Sequence, residues 1–63
     1  MESSVRTRRE AAGLSQASLG AALGVSRQTI NSIETGKYDP SLTLAVRLAR
    51  FFDSSVEEIF HVD

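Results

Sequence analysis

The sequence predicts an all-α fold, a compact five-helix bundle in a single domain. Three observations carry this expectation. Apolar residues recur at helical spacing along almost all of the 63 residues. No alternating run of Val, Ile and Thr is long enough to suggest a strand. Serines suited to start helices and glycines suited to end them punctuate the chain at short intervals.

The first helix is expected from about Ser4 to Ala12, ended by Gly13 as a left-handed cap. The second starts at Ser15, a good N-cap, and stops at Gly24, with Leu19, Ala22 and Leu23 inward. Only Val25 and Ser26 precede the third, which runs from Arg27 to about Thr35 on an inner stripe of Ile30 and Ile33. Gly36-Lys37-Tyr38-Asp39-Pro40 is the one clear loop, and Pro40 bars an earlier start to the next helix. The fourth helix spans Ser41 to about Phe52, with Leu42, Ala45, Leu48, Ala49 and Phe52 inward. The fifth starts with Ser55-Val-Glu-Glu58, which fits a capping box, and buries Val56, Ile59 and Phe60. Val5, Leu14 and Val25 complete the expected core. Short helices joined this tightly bury their apolar stripes only by packing on one another.

Composition narrows the function. There is no cysteine and a single histidine, His61, so neither disulfides nor a metal site is expected, and no cofactor. Catalysis needs a nucleophile with its base, or paired carboxylates in a cleft; neither is visible, so no catalytic residue is assigned and no enzyme expected. No apolar run approaches the roughly 20 residues that span a bilayer. The start, Met-Glu-Ser-Ser, lacks the basic and apolar stretches of a signal peptide, so a cytoplasmic protein without membrane association is expected. Net charge is −1, but it is unevenly placed. Residues 1–50 hold all 7 Lys and Arg against Glu2, Glu10, Glu34 and Asp39; residues 51–63 hold Asp53, Glu57, Glu58 and Asp63 with no Lys or Arg. One basic surface and an acidic end turned from it are implied.

The informative stretch is Gln16 to Thr35, Q-A-S-L-G-A-A-L-G-V-S-R-Q-T-I-N-S-I-E-T. Two helices joined by about three residues must cross steeply, and Gly24 permits the left-handed turn between them. A close crossing needs a small side chain, which Gly20 supplies. The third helix, held by Ile30 and Ile33, then leaves Arg27, Gln28, Asn31 and Ser32 outward. Arg27 can fork onto guanine and Gln28 can pair with adenine. A cation at a helix N-terminus opposes the helix dipole, which favours an anionic partner for Arg27.

This stretch closely resembles the helix-turn-helix of the phage-repressor (Cro and xenobiotic-response-element-type) family. The resemblance continues through Arg9-Glu-Ala-Ala-Gly-Leu-Ser-Gln16, Ile33-Glu-Thr-Gly-Lys-Tyr-Asp-Pro40 and Val56-Glu-Glu-Ile-Phe60, covering about Val5 to Phe60. It implies a lambda-repressor-like DNA-binding domain that reads double-stranded DNA as a transcriptional regulator. On the matching positions it implies base contacts from Arg27, Gln28 and Ser32, with Asn31 beside them. It implies backbone contacts from Gln16, Thr29, Thr35 and Lys37, and a structural pair, Arg9 with Glu34, linking the first and third helices. Arg8, Asp53 and Ser54 depart from the family pattern. Asp53 tolerates the left-handed conformation, so the turn before the last helix is expected to survive. Asp39 is read as orienting its loop or capping the fourth helix.

A protein-interaction module, antitoxin-like or an assembly part, is the alternative on the same fold. The outward Arg27-Gln28 pair favours DNA, since protein-binding faces more often carry apolar anchors. RNA is disfavoured, because an A-form major groove does not admit a helix. No sensor domain fits in 63 residues, so no small-molecule effector is expected, and repression is the expected mode. One reading helix covers few base pairs, so a homodimer on an inverted repeat is expected. Phe51, Phe60 and Val62 are its interface candidates; the alternative is that Phe51 and Phe60 complete the monomer's core.

Overall fold

In the computed structural model, which describes residues 1–62, every helix begins after a serine. The order is β1 (Glu2–Ser3), α1 (Val5–Ala11), α2 (Gln16–Leu23), α3 (Arg27–Glu34), α4 (Leu42–Phe51), α5 (Val56–Ile59) and β2 (Phe60–His61). Ser15, Ser26, Ser41 and Ser55 each accept, on the side-chain oxygen, the backbone N–H three residues on, at 3.0–3.3 Å. Each such cap is worth about 1 kcal/mol. Ser4 differs. Its hydroxyl accepts from Arg8 Nε at 2.9 Å, and its backbone N–H donates to the Ile59 carbonyl at 2.8 Å. Asp63, counted with the acidic end, lies outside the described residues.

Helix ends follow the same local logic. Gly24 takes φ 73° at the end of α2, and Asp53 takes φ 52° after α4, so the carboxylate residue does hold the left-handed turn. Asp39 does not cap α4: Ser41 does, while Asp39 lies 3.6 Å from the N-terminal ammonium. The capping box of α5 is half made. Ser55 accepts from the Glu58 N–H, but the Glu58 carboxylate accepts from the Ser54 hydroxyl at 3.2 Å instead of closing on Ser55.

Val5, Leu19, Ile30, Ile33, Leu48 and Ile59 form the fully buried centre, drawing on all five helices. Leu23, Leu44, Ala45, Ala49 and Phe60 surround it, with Leu14, Val25, Phe52 and Val56 half-buried against it. Two expected placements change, and a third is decided between the two readings the sequence offered. Ala22 is exposed, because Leu19 and Leu23 set the inner line of α2 and Ala22 lies about 80° off it. Leu42 is 76% exposed and Leu44 is buried in its stead. On α4 the buried arc centres between Leu48 and Ala45, and Leu42 sits on its flank. Phe60 is 6% exposed and belongs to the monomer's core, so it is no surface anchor. The two strands were not expected: Glu2 pairs with His61 and Ser3 with Phe60, antiparallel. Two residues a side are too few for any alternating pattern to register.

Candidate nucleic-acid interface

The site begins with the crossing of α2 and α3, the most extensive helix pairing in the fold. A Cβ on Gly20 would stand 2.7 Å from the Val25 carbonyl oxygen, closer than side-chain carbons come to backbone oxygens. Glycine therefore sets the approach of the turn to α2. The N–H of Val25 completes the turn by donating to the Gly20 carbonyl at 2.9 Å. Ser26 then starts α3, and Ile30 and Ile33 pin its inner face.

What remains outward is polar. Arg27, Gln28 and Asn31 are exposed, and Thr29 and Ser32 are half-buried. At 1.5 Å per residue, the eight residues of α3 run about 12 Å, close to the width of the B-form major groove. Ser26, Gln28, Thr29, Ser32 and Tyr38 line a shallow depression beside this face. The loop after α3 folds back on the helix: the N–H groups of Lys37 and Tyr38 both donate to the Ser32 carbonyl, at 3.0 and 3.2 Å. This fixes an exposed Lys37 beside the helix's C-terminal end.

Behind the face lies a polar cluster. Arg9 donates from Nε to Glu34 Oε2 at 2.7 Å and from Nη2 to Oε1 at 3.2 Å. Its Nη1 reaches the Leu14 carbonyl at 2.8 Å. The side chains are 11% and 3% exposed, so the expected link between α1 and α3 is a buried, two-pronged ion pair. Hydrogen bonding to Glu34 holds the Arg9 guanidinium above the usual arginine range, against the opposing effect of burial. Gln16 joins the cluster: Nε2 donates to Glu34 Oε1 at 3.0 Å and to Asn31 Oδ1 at 3.2 Å.

The expected backbone-contact residues thus fall into two groups. Lys37 is exposed and pairs with no carboxylate among the described residues. Thr29 shares a 3.0 Å hydroxyl contact with Ser26. Gln16 and Thr35, by contrast, use their donors internally. Both Gln16 amide hydrogens are engaged, and the Thr35 hydroxyl donates back to the Asn31 carbonyl at 2.9 Å. The Gln16–Asn31 link was not foreseen in the sequence; two amide residues either side of a tight interhelical turn were its only signal.

On the far side, Pro40, Leu42, Ala45, Val56, Phe60 and Val62 line an apolar groove, with Glu57 and His61 among its polar members. Leu42 and Val62 stand out from it, 76% and 78% exposed. Phe51 is 42% exposed and packs edge-on against Phe52 at 5.1 Å, but it is not part of this groove. It lies nine residues from Leu42 on α4, about 180° around the helix. The three interface candidates therefore do not form one surface: Phe60 is core, Val62 is on the groove and Phe51 faces elsewhere.

A helix-turn-helix family model matches residues 5–59. The chain is also 50% identical over 60 residues to an uncharacterized HTH-type transcriptional regulator of Methanocaldococcus jannaschii, covering 95% of this chain and 91% of that one. An uncharacterized HTH-type transcriptional regulator of Methanothermobacter thermautotrophicus is 44% identical over 64 residues, covering 100% and 93%. The uncharacterized HTH-type transcriptional regulator YgzD of Bacillus subtilis is 40% identical over 63 residues, covering 100% and 96%.

Proposed function

The chain belongs to the helix-turn-helix family, and from that premise we propose that it is a sequence-specific double-stranded-DNA-binding repressor of transcription. The observation that carries this reading is the outward face of α3. Arg27 and Gln28 occupy its first turn, exposed, on a helix held from behind by Ile30 and Ile33. The N-terminal turn of such a helix enters the major groove first. Arg27 forks onto guanine and Gln28 pairs with adenine, with Ser32 and Asn31 one turn further along. Lys37 and Thr29 contact the phosphates flanking the groove. Gln16 and Thr35 lie on the same side with their donors already used, and contribute less to the backbone contact.

The protein acts as a two-fold homodimer on an inverted repeat. A dyad sets two copies of α3 in successive major grooves, about 34 Å apart. The apolar groove supports a second copy as its occupant. It combines protruding side chains, Leu42 and Val62, with a recess floored by Ala45, Val56 and Phe60. A surface carrying both knob and recess is what a two-fold contact requires, since the same patch must fit itself. No residue of α2 or α3 lines it, so both reading helices stay exposed. Repression follows by occlusion of a promoter that overlaps the inverted repeat.

Selection from a random double-stranded DNA pool, followed by sequencing, tests the reading. The expected product is a short inverted repeat with half-site centres one helical turn apart. A pool that never departs from random composition refutes it.

A further inference from the structure

We propose that Lys37 is an acylation site: an acyl phosphate transfers its acyl group to the Lys37 ε-amine, and the lost charge loosens the protein from DNA. The proposal rests on α3 being the reading helix, with Lys37 on a flanking phosphate. Lys37 is the one lysine in the chain, and the other basic side chains are all arginines. A guanidinium stays protonated and offers no free electron pair to an acyl carbon, whereas a lysine amine can. Among the basic side chains, only this one can be switched off by amide formation.

The fold suits Lys37 to this reaction. Its side chain is exposed and pairs with no carboxylate among the described residues, so a small donor can reach the amine. Its backbone is held independently of that side chain. Gly36 takes φ 76°, and the N–H groups of Lys37 and Tyr38 both donate to the Ser32 carbonyl, at 3.0 and 3.2 Å. Acylation therefore leaves the loop and α3 in place. The charge of the loop is what changes. Between Thr35 and Pro40 the charged side chains are Lys37 and Asp39, one of each sign, and the Asp39 side chain is 64% exposed. With Lys37 acylated, Asp39 is left to face the phosphates, and attraction gives way to repulsion. In the transfer the neutral ε-amine attacks the acyl carbon and a C–N bond forms. The bond from that carbon to the phosphate oxygen breaks, inorganic phosphate leaves, and the amine's proton passes to water. The N-terminal ammonium, 3.6 Å from Asp39, is a second amine that a donor can reach, and it serves as the internal competitor.

The test treats the full chain with acetyl phosphate, with and without its selected duplex, and locates the product by peptide mass mapping. Affinity is read by fluorescence anisotropy on the selected and on a random duplex, and folding by thermal unfolding. Lys37 is expected to be acetylated, and more slowly when the duplex is bound. The acetylated protein is expected to bind both duplexes roughly 3- to 10-fold more weakly at low salt, with the ratio between them and its Tm retained, and to match Lys37→Ala in its reduced salt slope. Lys37→Arg offers no ε-amine, so treatment should not alter its own affinity; it reports acylation of the N-terminal amine alone. An equal loss in treated Lys37→Arg would assign the effect to the N-terminal amine and overturn the proposal. A Lys37 that stays unmodified, or one acetylated without loss of affinity, overturns it as well while leaving DNA recognition by α3 intact. A random pool without any consensus overturns the DNA reading, and this proposal with it.

Discussion

Replacing Arg9 by alanine removes three hydrogen bonds at once: two to Glu34 and one to the Leu14 carbonyl. The Glu34 carboxylate, 3% exposed, keeps only Gln16 as a partner among the described residues. Breaking a buried pair from one side costs about 3–5 kcal/mol, because the remaining charge is neither solvated nor compensated. At roughly 0.05–0.15 kcal/mol per residue, a domain of this size has a total stability of about 3–9 kcal/mol. Arg9→Ala therefore removes a third or more of the whole. With a shift of about 4–8 °C per kcal/mol in a domain this small, Tm falls by roughly 12–40 °C. The assay is thermal and urea unfolding followed by circular dichroism, with DNA selection repeated at a temperature where the variant is folded. Two further variants locate the cause. Arg9→Lys retains the charge but not the fork, and should lie between. Arg9→Met with Glu34→Leu leaves no orphaned charge and should recover most of the loss, since a well-packed apolar pair can replace a buried ionic one. A loss of 1 kcal/mol or less for Arg9→Ala is what a solvated pair gives, and would refute the burial argument. A normal Tm with altered base preference would make Arg9 a DNA-contacting residue.

Other substitutions separate the remaining roles. Arg27→Ala should lower affinity for the selected site by about 1–3 kcal/mol and relax one base pair per half-site, whereas Lys37→Ala should weaken all sequences alike and reduce the salt slope by about one unit, both read by fluorescence anisotropy at several salt concentrations. Gly20→Ala should destabilise the fold by about 1–3 kcal/mol despite alanine's better helix propensity, because its Cβ meets the Val25 carbonyl at 2.7 Å; a gain in Tm would show that the turn yields freely. Ser55→Ala should cost about 1 kcal/mol through the lost cap and raise the Glu57 pKa, which a backbone N–H and the Ser55 hydroxyl hold below the ordinary glutamate range. A depressed value stabilises the native state above that range and the contribution fades as pH falls through the folded value, so Ser55→Ala should flatten this acid-side slope in a pH series of unfolding curves. Leu42→Glu should give a folded monomer by sedimentation while Phe51→Glu leaves the dimer intact; the opposite pattern places the interface around Phe51.

The five helices were legible because their boundaries are written locally. Serine caps and left-handed glycines act through neighbours in the chain, so no knowledge of the tertiary fold is needed to read them. Burial was legible where a stripe is narrow, as on α3, and failed where it is broad. On α4, Leu42 and Leu44 both fit an apolar helix, and which of them turns inward depends on where α5 and the other helices lie. The outward face of α3 followed from its pinned inner face, so Arg27, Gln28 and Asn31 were found exposed as expected. The Gln16–Asn31 link was not, because it depends on the distance across a helix crossing. The Arg9–Glu34 pair spans 25 residues and entered only through family resemblance.

The pairing of β1 with β2, and the bond from the Ser4 N–H to the Ile59 carbonyl, tie residues 2–4 to residues 59–61. During synthesis α2 and α3 can dock as soon as both have left the ribosome, since their contacts are close in sequence. The first helix made is in a different position. Val5 is buried in the same core cluster as Ile59, and Ser4 waits for the Ile59 carbonyl, so α1 has its full set of partners only after residue 61 has emerged. A nascent chain arrested before that point carries a formed turn between α2 and α3 but an unclosed body. The body that carries α3 is therefore complete only once residues 59–61 are available to residues 2–4.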